Sequence, residues 1–179
     1  QEMRLAVPQQ ELVLFYQPQV NRNGTVIGYE ALIRWNHPVF GLMNPSDFLA
    51  LAEANRLIVD FGYWVIEEAA RTLAAWANDP KMHAHRISVN ISAVQFSEAD
   101  FVDRVGDILK ATGACPGRLR IEMTESIFLE DFDRVIGMMH QLKAQGLTLS
   151  LDDFGTGYST MAYLRQLPID ELKIPQPFV

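Results

Sequence analysis

The chain has 179 residues, 49% of them hydrophobic, and a formal net charge of −7. This length and composition predict one globular domain of mixed class. The acidic balance argues against a broad nucleic-acid interface, which needs a basic face, but it permits a small anionic ligand held through bound cations. The single cysteine, Cys115, excludes an internal disulfide framework and fits a reducing compartment. We therefore expect a cytoplasmic location, either free or as the cytoplasmic part of a membrane-anchored protein.

Neither end of the chain resembles a natural boundary. No signal-peptide pattern opens the sequence, no apolar run is long enough to cross a bilayer, and Val179 directly follows a strand-like segment. We expect the sequence to continue into a longer protein. Residues 1–10, interrupted at Pro8, are predicted to be a linker or the remnant of an N-terminal helix, and residues 11–179 the domain itself.

Strand-like runs alternate with segments of helical periodicity. The predicted strands are Leu12–Val20, Val26–Trp35, Arg86–Ser92, Leu119–Thr124, Leu147–Leu151 and Asp170–Ile174. The predicted helices are a short one capped by Ser46, then Gly62–Asn78, Ser97–Thr112, Asp131–Gln145 and Tyr158–Gln166. Asn23-Gly24 is a strong turn signal and predicts that the first two strands pair antiparallel. The later alternation predicts right-handed crossovers and a mostly parallel sheet.

Apolar and polar residues alternate within the strands, as in Ile87-Ser88-Val89-Asn90. The apolar stripes of the helices must cover one face of the sheet. An open parallel sheet would be apolar on its other face as well, so a polar face predicts a barrel interior. In barrels the working side chains gather where the strands end at the carboxyl rim. That rim would carry Glu30, Asn90, Glu122, Asp152 and Lys173.

The predicted rim is rich in oxygen ligands. Three carboxylates with the Asn90 carbonyl favour Mg²⁺ or Mn²⁺ over zinc. Asp153 could hold a second ion, with Asp152 bridging, and two ions about 3.5–4 Å apart assist in-line displacement at phosphorus. Lys173 would orient a water or balance charge, and Arg34 offers a fork suited to phosphate oxygens.

Other interpretations stay open at this point. Asp152 and Asp153 precede Gly155-Thr156-Gly157, and Asp and Gly are usual turn residues, so both acids could simply be solvated. Two carboxylates across a barrel could also hydrolyse a glycoside, although that chemistry explains neither Asn90 nor the doubled aspartate. The histidines lack metal-ligand spacing, and no serine motif predicts a nucleophilic triad. Glu125 is predicted to shape the loop after its strand.

Six short motifs follow one another along the chain. They are Tyr16-Gln17-Pro18, Glu30-Ala31-Leu32 within Gly28–Pro38, Val89–Ser92, Glu122–Ser126, Asp152–Gly157 and Leu172–Ile174. Glu-Ala-Leu alone would mean nothing, but the ordered set spans the chain. Together the motifs resemble the EAL domain family, the cyclic di-GMP (c-di-GMP) phosphodiesterases of bacteria.

The resemblance implies a fold and a reaction. The fold would be α/β, a modified (β/α)₈ TIM barrel whose first strand runs antiparallel, with residues 11–179 holding its first six strands. The reaction would be metal-dependent hydrolysis of c-di-GMP to linear pGpG. The expected partners are c-di-GMP, a second copy of the chain and other signalling domains, with no polymeric nucleic acid.

The resemblance also implies roles for individual residues. One Mg²⁺ or Mn²⁺ would be bound by Glu30, Asn90, Glu122 and Asp152. A second ion would be bound by Asp152 and Asp153. The catalytic residues would be Glu30, Asp152, Asp153 and Lys173, the last contacting the catalytic water. The substrate would be contacted by Gln17 at guanine, by Arg34 at phosphate and by Leu32.

Two departures from the family pattern favour alternatives. Pro175 replaces the aspartate of the usual Lys-Ile-Asp, which removes a carboxylate and a backbone donor. The family also continues for two strands that carry a further catalytic Glu and a Gln-Gly loop, so either the chain is a fragment or the missing part comes from elsewhere. It could therefore be an EAL-like module that binds c-di-GMP or a protein partner without turnover. It could also be a docking or dimerisation unit.

Overall fold

The computed structural model of the chain describes residues 2–129, 131–154 and 164–175. Its strands are β1 (Leu12–Val20), β2 (Val26–His37), β3 (Gly41–Met43), β4 (Arg86–Asn90), β5 (Leu119–Thr124), β6 (Thr148–Asp152) and β7 (Glu171–Leu172). Its α-helices are α1 (Pro45–Ala54), α2 (Leu57–Trp76), α3 (Ala93–Phe96), α4 (Phe101–Thr112) and α5 (Phe132–Ala144). Short 3₁₀ helices are formed by Glu2–Leu5, Pro116–Arg118 and Glu125–Phe128.

All of these strands belong to one sheet with the order β1-β2-β4-β5-β6-β7, and β3 pairs with β2. β1 and β2 are antiparallel, joined through a turn in which Gly24 has φ +76°. From β2 to β7 each neighbour along this order is parallel. The predicted α/β fold with an antiparallel first strand is therefore confirmed.

The two faces of the sheet differ as the alternation predicts. The outer face is apolar and packs under α2, α4 and α5. Its fully buried side chains include Ile87, Val89, Ile121, Leu149 and Leu151. Burying a side chain of this size stabilises the fold by roughly 1.5–3 kcal/mol. The inner face carries buried polar groups, namely Ser88, Arg120, Glu122 and Ser150. The apolar face thus packs into the core under the helices, and the opposite face carries the buried polar groups.

Several element boundaries differ from the prediction. α1 is capped by Asn44 and not by Ser46, because Pro45 suits the first helical position and so places the cap two residues earlier than predicted. α2 begins at Leu57, ahead of the predicted Gly62, since Arg56 takes a left-handed conformation with φ +58° and turns the chain directly from α1. β3 lies within the predicted loop 37–45.

The region before α4 also differs. Ser97 follows the last residue of α3, and α4 starts at Phe101 with Asp100 as its N-cap, so the predicted Ser97 start is wrong. Gly113 does end α4, in the left-handed conformation predicted for a helix stop. The predicted helix Tyr158–Gln166 and the Gly155-Thr156-Gly157 loop lie largely or wholly outside the described residues.

Residues at the start of the chain pack against the core. Met3 and Ala6 are buried, and the Glu2 carboxylate lies 3.4 Å from the imidazole of His37. The division of the chain after residue 10 stays a prediction. No helix among the described residues is both long and apolar enough to cross a lipid bilayer.

Asp170 ties the short strand β7 to β6 and α5. Its carboxylate accepts a hydrogen bond of 2.8 Å from the backbone N–H of Leu149 and pairs with the Lys143 ammonium. Burial by itself would raise the pKa of Asp170, but the hydrogen bonds from Lys143 and Leu149, with the positive charges of Lys143 and Arg120, lower it overall.

We expect Asp170→Asn to reduce stability at neutral pH. A carboxyl whose pKa is lowered by folding stabilises the protein above its unfolded pKa of about 3.9, and this contribution disappears as pH falls through the folded pKa. On acidification Asp170→Asn should therefore lose less free energy of unfolding than the wild type. The slopes of this free energy against pH should differ by at most the value for about one bound proton. Urea unfolding across the acid range measures this. Asp107→Asn, at an exposed pair with Lys110, is the control. Identical slopes in wild type and Asp170→Asn would contradict the assignment.

Candidate active site

Four strands and the residue after β7 bring their polar side chains together inside the sheet. Asn90 donates a hydrogen bond of 2.7 Å from Nδ2 to Glu30 Oε1. The Lys173 ammonium forms a short ion pair with Glu122 Oε2. The same nitrogen lies 3.7 Å from Glu30 Oε2 and 3.8 Å from Asp152 Oδ2. The predicted convergence of these five residues is thus present in the structure.

In each carboxylate of this cluster one oxygen lies near the Lys173 ammonium, and the other oxygen has a different environment. The second oxygen of Glu30 accepts from Asn90, and that of Asp152 accepts from the backbone N–H of Asp153 at 2.9 Å. The second oxygen of Glu122, Oε1, is buried and has no hydrogen-bond partner among the described residues. A buried acceptor without a partner is costly, so this oxygen is suited to an electropositive ligand.

Burial and charge shift the pKa values of the central pair. Burial raises the pKa of Glu122, although the hydrogen bond and charge of Lys173 oppose it. Ser88 lies close enough to affect this carboxyl, yet its hydroxyl makes no regular hydrogen bond within the described residues. Burial lowers the pKa of Lys173, but Glu122, Glu30 and Asp152 together raise it above its ordinary value. Lys173 is therefore a permanent cation at neutral pH.

The chain turns sharply where β6 ends. Asp153 has φ +55°, in the left-handed region that Asp tolerates better than most residues. This turn ends the alternation of the strand, and its N–H binds the Asp152 carboxylate. Both acids are thereby free of regular strand geometry. A shared role in binding a second ion stays a prediction.

The cluster fits a divalent cation in chemistry and in charge. No three Asp, Glu, His or Cys side chains within the described ranges are arranged to hold a metal by themselves. Instead the three carboxylates surround the Lys173 ammonium. Three ionised carboxylates against one ammonium leave two negative charges, which one divalent cation would balance. The oxygen donors are those that Mg²⁺ and Mn²⁺ prefer.

The predicted substrate contacts lie around this cluster. Gln17 is exposed on β1 and lies opposite Glu30 in the antiparallel ladder. Leu32 lines a cavity of about 200 Å³ that also reaches Asn90. The Arg34 guanidinium lies 5.4 Å from the ring centre of Phe15 and donates to the Ile33 carbonyl at 2.8 Å. In this arrangement Arg34 is engaged by its own hairpin.

Glu125, predicted to shape the loop after β5, begins the 3₁₀ helix Glu125–Phe128 that directly follows this strand. Ile127 of the same turn is buried in the core. The turn therefore packs against the body of the domain. A role for Glu125 in organising the site stays a prediction.

The structure adds an ion pair between a buried arginine and a partly exposed glutamate to the candidate site. Arg120, with 7% of its side chain exposed, contacts the Glu171 carboxylate. Two small hydroxyls, Ser88 and Ser150, are buried on the same inner face. The alternation marks all four residues as inward-facing. It does not show which charges meet across an intervening strand, so this pair was not predicted.

Comparisons with known proteins agree with one another. The family model for the EAL domain matches residues 1–179. The bifunctional diguanylate cyclase/cyclic di-GMP phosphodiesterase MucR of Pseudomonas aeruginosa is 46% identical over 180 residues, covering 99% of this chain and 26% of MucR. The cyclic di-GMP phosphodiesterase NbdA of the same species is 39% identical over 182 residues, covering 100% of this chain and 23% of NbdA.

A solved structure, the PaMucR phosphodiesterase in complex with c-di-GMP, has the same fold. It superposes with a TM-score of 0.92 at 45% sequence identity, and the match covers 99% of this chain and 72% of that chain. The predicted TIM-barrel-like fold is thereby confirmed. The chain spans about a quarter of the length of the curated relatives MucR and NbdA.

Proposed function

This chain belongs to the EAL domain family, and from that premise we propose that its protein hydrolyses one phosphodiester of c-di-GMP to give linear pGpG. The observation that carries the proposal is the gathering of Glu30, Asn90, Glu122 and Asp152 around Lys173. Such a cluster has no evident value as packing, because bringing three carboxylates together is unfavourable unless cations balance them.

EAL domains are generally metal-dependent, and we propose that this one uses two Mg²⁺ or Mn²⁺ ions. The first would be held by Glu30, Asn90, Glu122 and Asp152, and the second by Asp152 with Asp153. When bound, such ions supply Lewis-acid activation of water and of the phosphodiester. Glu122 Oε1, which has no hydrogen-bond partner among the described residues, and the net negative charge of the cluster support the first of these ions.

The remaining roles concern the chain's own groups. The surrounding carboxylates raise the pKa of Lys173, so its ammonium can donate hydrogen bonds to a water or a phosphate. It would orient the attacking water or stabilise charge that develops on the phosphate. Gln17 and Leu32 would contact the nucleotide beside Glu30. Arg34 would have to leave the Phe15 ring before its fork could reach a phosphate.

Chromatography of c-di-GMP incubated with the intact protein tests the function. We expect linear pGpG to accumulate with Mg²⁺ or Mn²⁺ and not with EDTA, and we expect Asp152→Asn and Glu30→Ala to abolish the metal-dependent rate. Glu67→Gln, at an exposed ion pair on α2, is the matched control for the loss of one carboxylate. Equal product formation in EDTA or in Asp152→Asn would refute the site assignment.

A second candidate is a module that binds c-di-GMP without hydrolysing it. Pro175 favours it, because proline supplies neither the carboxylate expected after Lys173-Ile174 nor a backbone donor. Calorimetric titration of c-di-GMP with and without Mg²⁺ separates a binder from a non-binder. Binding without any pGpG release identifies this second function.

The location and partners follow from the proposed reaction. We place the domain in the cytoplasm, where the exposed free thiol of Cys115 would stay reduced. Other signalling domains are proposed partners, since the matched region is about a quarter of MucR and NbdA. A homodimer is a further proposal, and sedimentation of the intact protein tests it.

A further inference from the structure

The Gln95 side chain packs against helix α2 at a position that has no side chain of its own, Gly62. Gly62 is buried, and Gln95 has 1% of its surface exposed. A β-carbon added at Gly62 would lie 2.7 Å from Gln95 Nε2 and closer still to Cδ and Oε1, so no larger residue fits there with Gln95 in place. Nε2 has no hydrogen-bond partner among the described residues. This nitrogen is therefore held by packing, and its contact with the helix depends on shape.

The backbone of Gln95 belongs to a turn that begins at Asn90, the last residue of β4. The Gln95 N–H donates to Ser92 Oγ at 3.1 Å, and this bond caps the short helix α3. Between Asn90 and Ser92, Ile91 donates its N–H to the Glu122 carbonyl at 2.9 Å. The turn is thus hydrogen-bonded to β5 near its start and packs against α2 at its end.

A cavity lies beside the contact between Gln95 and Gly62. It has a volume of about 200 Å³, and its walls include Gly62, Gln95, Asn90 and Leu32. A methyl group at position 62 would push the Gln95 amide aside, because the atoms that it meets are the end of a side chain and not backbone. The cavity has room for that amide, since a water molecule takes up only about 30 Å³. The displaced amide would then lie beside Asn90 and Leu32.

We propose that Gln95, through its fit against Gly62, is a positioning residue for Asn90 at the ion site. The Asn90 amide is aligned on one side by Glu30, to which Nδ2 donates at 2.7 Å. The turn that packs on α2 through Gln95 fixes the backbone from which this amide projects. Mutating a group that orients a metal ligand commonly costs about 10–100-fold in metal affinity. The consequence for ion binding rests on the function proposed above, whereas the support of the turn by Gly62 and Gln95 does not.

Calorimetric titration of the intact protein with Mn²⁺ tests the role at the ion site. We expect Gln95→Ala and Gly62→Ala each to weaken Mn²⁺ binding by about tenfold, the first by removing the support and the second by displacing it. Adding Gly62→Ala to Gln95→Ala should cause no further loss, because the new methyl group then has no amide to displace. Gln95→Met, which keeps the length of the side chain, should bind Mn²⁺ within about threefold of wild type.

Gly137→Ala is the matched control. At this position of α5 an added β-carbon would meet no atom of the described residues within 4 Å, apart from its own helix and chain neighbours. The control should bind Mn²⁺ as the wild type does. A double variant whose losses add, or a loss in Gln95→Met as large as that in Gln95→Ala, would contradict a contact based on shape.

Hydrogen exchange in EDTA measures the turn without any metal. We expect Gln95→Ala and Gly62→Ala each to speed exchange of the Ile91 and Phe96 amides by about tenfold, while amides of β6 stay protected. Gly62→Ala decides the matter should Gln95→Ala fail to fold. Wild-type exchange at these amides, or wild-type Mn²⁺ affinity, in both variants overturns the proposal. If the wild type binds no Mn²⁺, the proposed metal site fails, and exchange alone decides whether Gly62 and Gln95 support the turn.

Discussion

Glu122→Gln is expected to abolish turnover without destabilising the fold. The substitution keeps the volume of a fully buried side chain and removes a carboxylate whose pKa is raised by burial, so a neutral amide there should leave the melting temperature equal or higher. With the amide oxygen facing Lys173, an NH2 group takes the place of Oε1, the oxygen that has no partner among the described residues. We expect kcat/KM for c-di-GMP to fall about 10³-fold, equivalent to about 4 kcal/mol.

Calorimetry with Mn²⁺ and thermal melts separate the two consequences. Metal affinity should fall together with turnover in Glu122→Gln, while Glu67→Gln should match wild type in both. Higher stability with lower activity is the behaviour of a group retained for chemistry. A variant that melts earlier but still binds Mn²⁺ normally would instead make Glu122 a structural residue.

Lys173→Met is expected to make stability depend on metal. The ammonium is the cation that balances Glu30, Glu122 and Asp152, so its removal leaves three carboxylates facing one another. We expect a loss of roughly 2–4 kcal/mol in EDTA, in line with breaking a buried pair. For a chain of this size that loss lowers the melting temperature by about 5–15 °C. Turnover should fall about 10²-fold, because an orienting donor is lost.

Added Mg²⁺ should raise the melting temperature of Lys173→Met more than that of wild type. A cation that binds only the folded state stabilises it by mass action, and the variant offers a more negative site. Lys143→Met, which removes an ion pair outside the cluster, is the control for losing a lysine near β7. An equal response to Mg²⁺ in Lys173→Met and wild type would show that Lys173 does not balance the carboxylates.

The convergence of the site could be predicted because it depends on strand parity alone. Asn90, Glu122 and Asp152 occupy the polar parity at or near the end of a strand, and parallel strands end at the same edge. Glu30 lies within β2, on the part of it that pairs with β4. The parity of a residue determines which face of the sheet it occupies. It does not determine which residues it contacts on the other strands. The meeting of Arg120 with Glu171 depends on register over β6, which a pattern in one strand does not contain.

Helix starts were harder to predict for a different reason. Serine caps helices well, yet neither Ser46 nor Ser97 is the N-cap of a predicted helix in the structure. The N-caps are Asn44 for α1 and Asp100 for α4. Pro45 moved the first cap to Asn44, and Ser97 is the C-cap of the short helix α3. The three-residue strand β3 has no periodicity to detect, since its alternation covers little more than one repeat.

The left-handed turn at Asp153 has an entropic consequence for the proposed binding of an ion. In this turn one oxygen of Asp152 accepts a hydrogen bond of 2.9 Å from the backbone N–H of Asp153. The bond restricts the rotamers of the Asp152 side chain once the protein has folded. A flexible aspartate would surrender this freedom at the moment of association, at a cost of order 1 kcal/mol. The Asp152 side chain is preorganised at the carboxyl rim of the sheet, so its ordering cost is met during folding and not when the proposed ion binds.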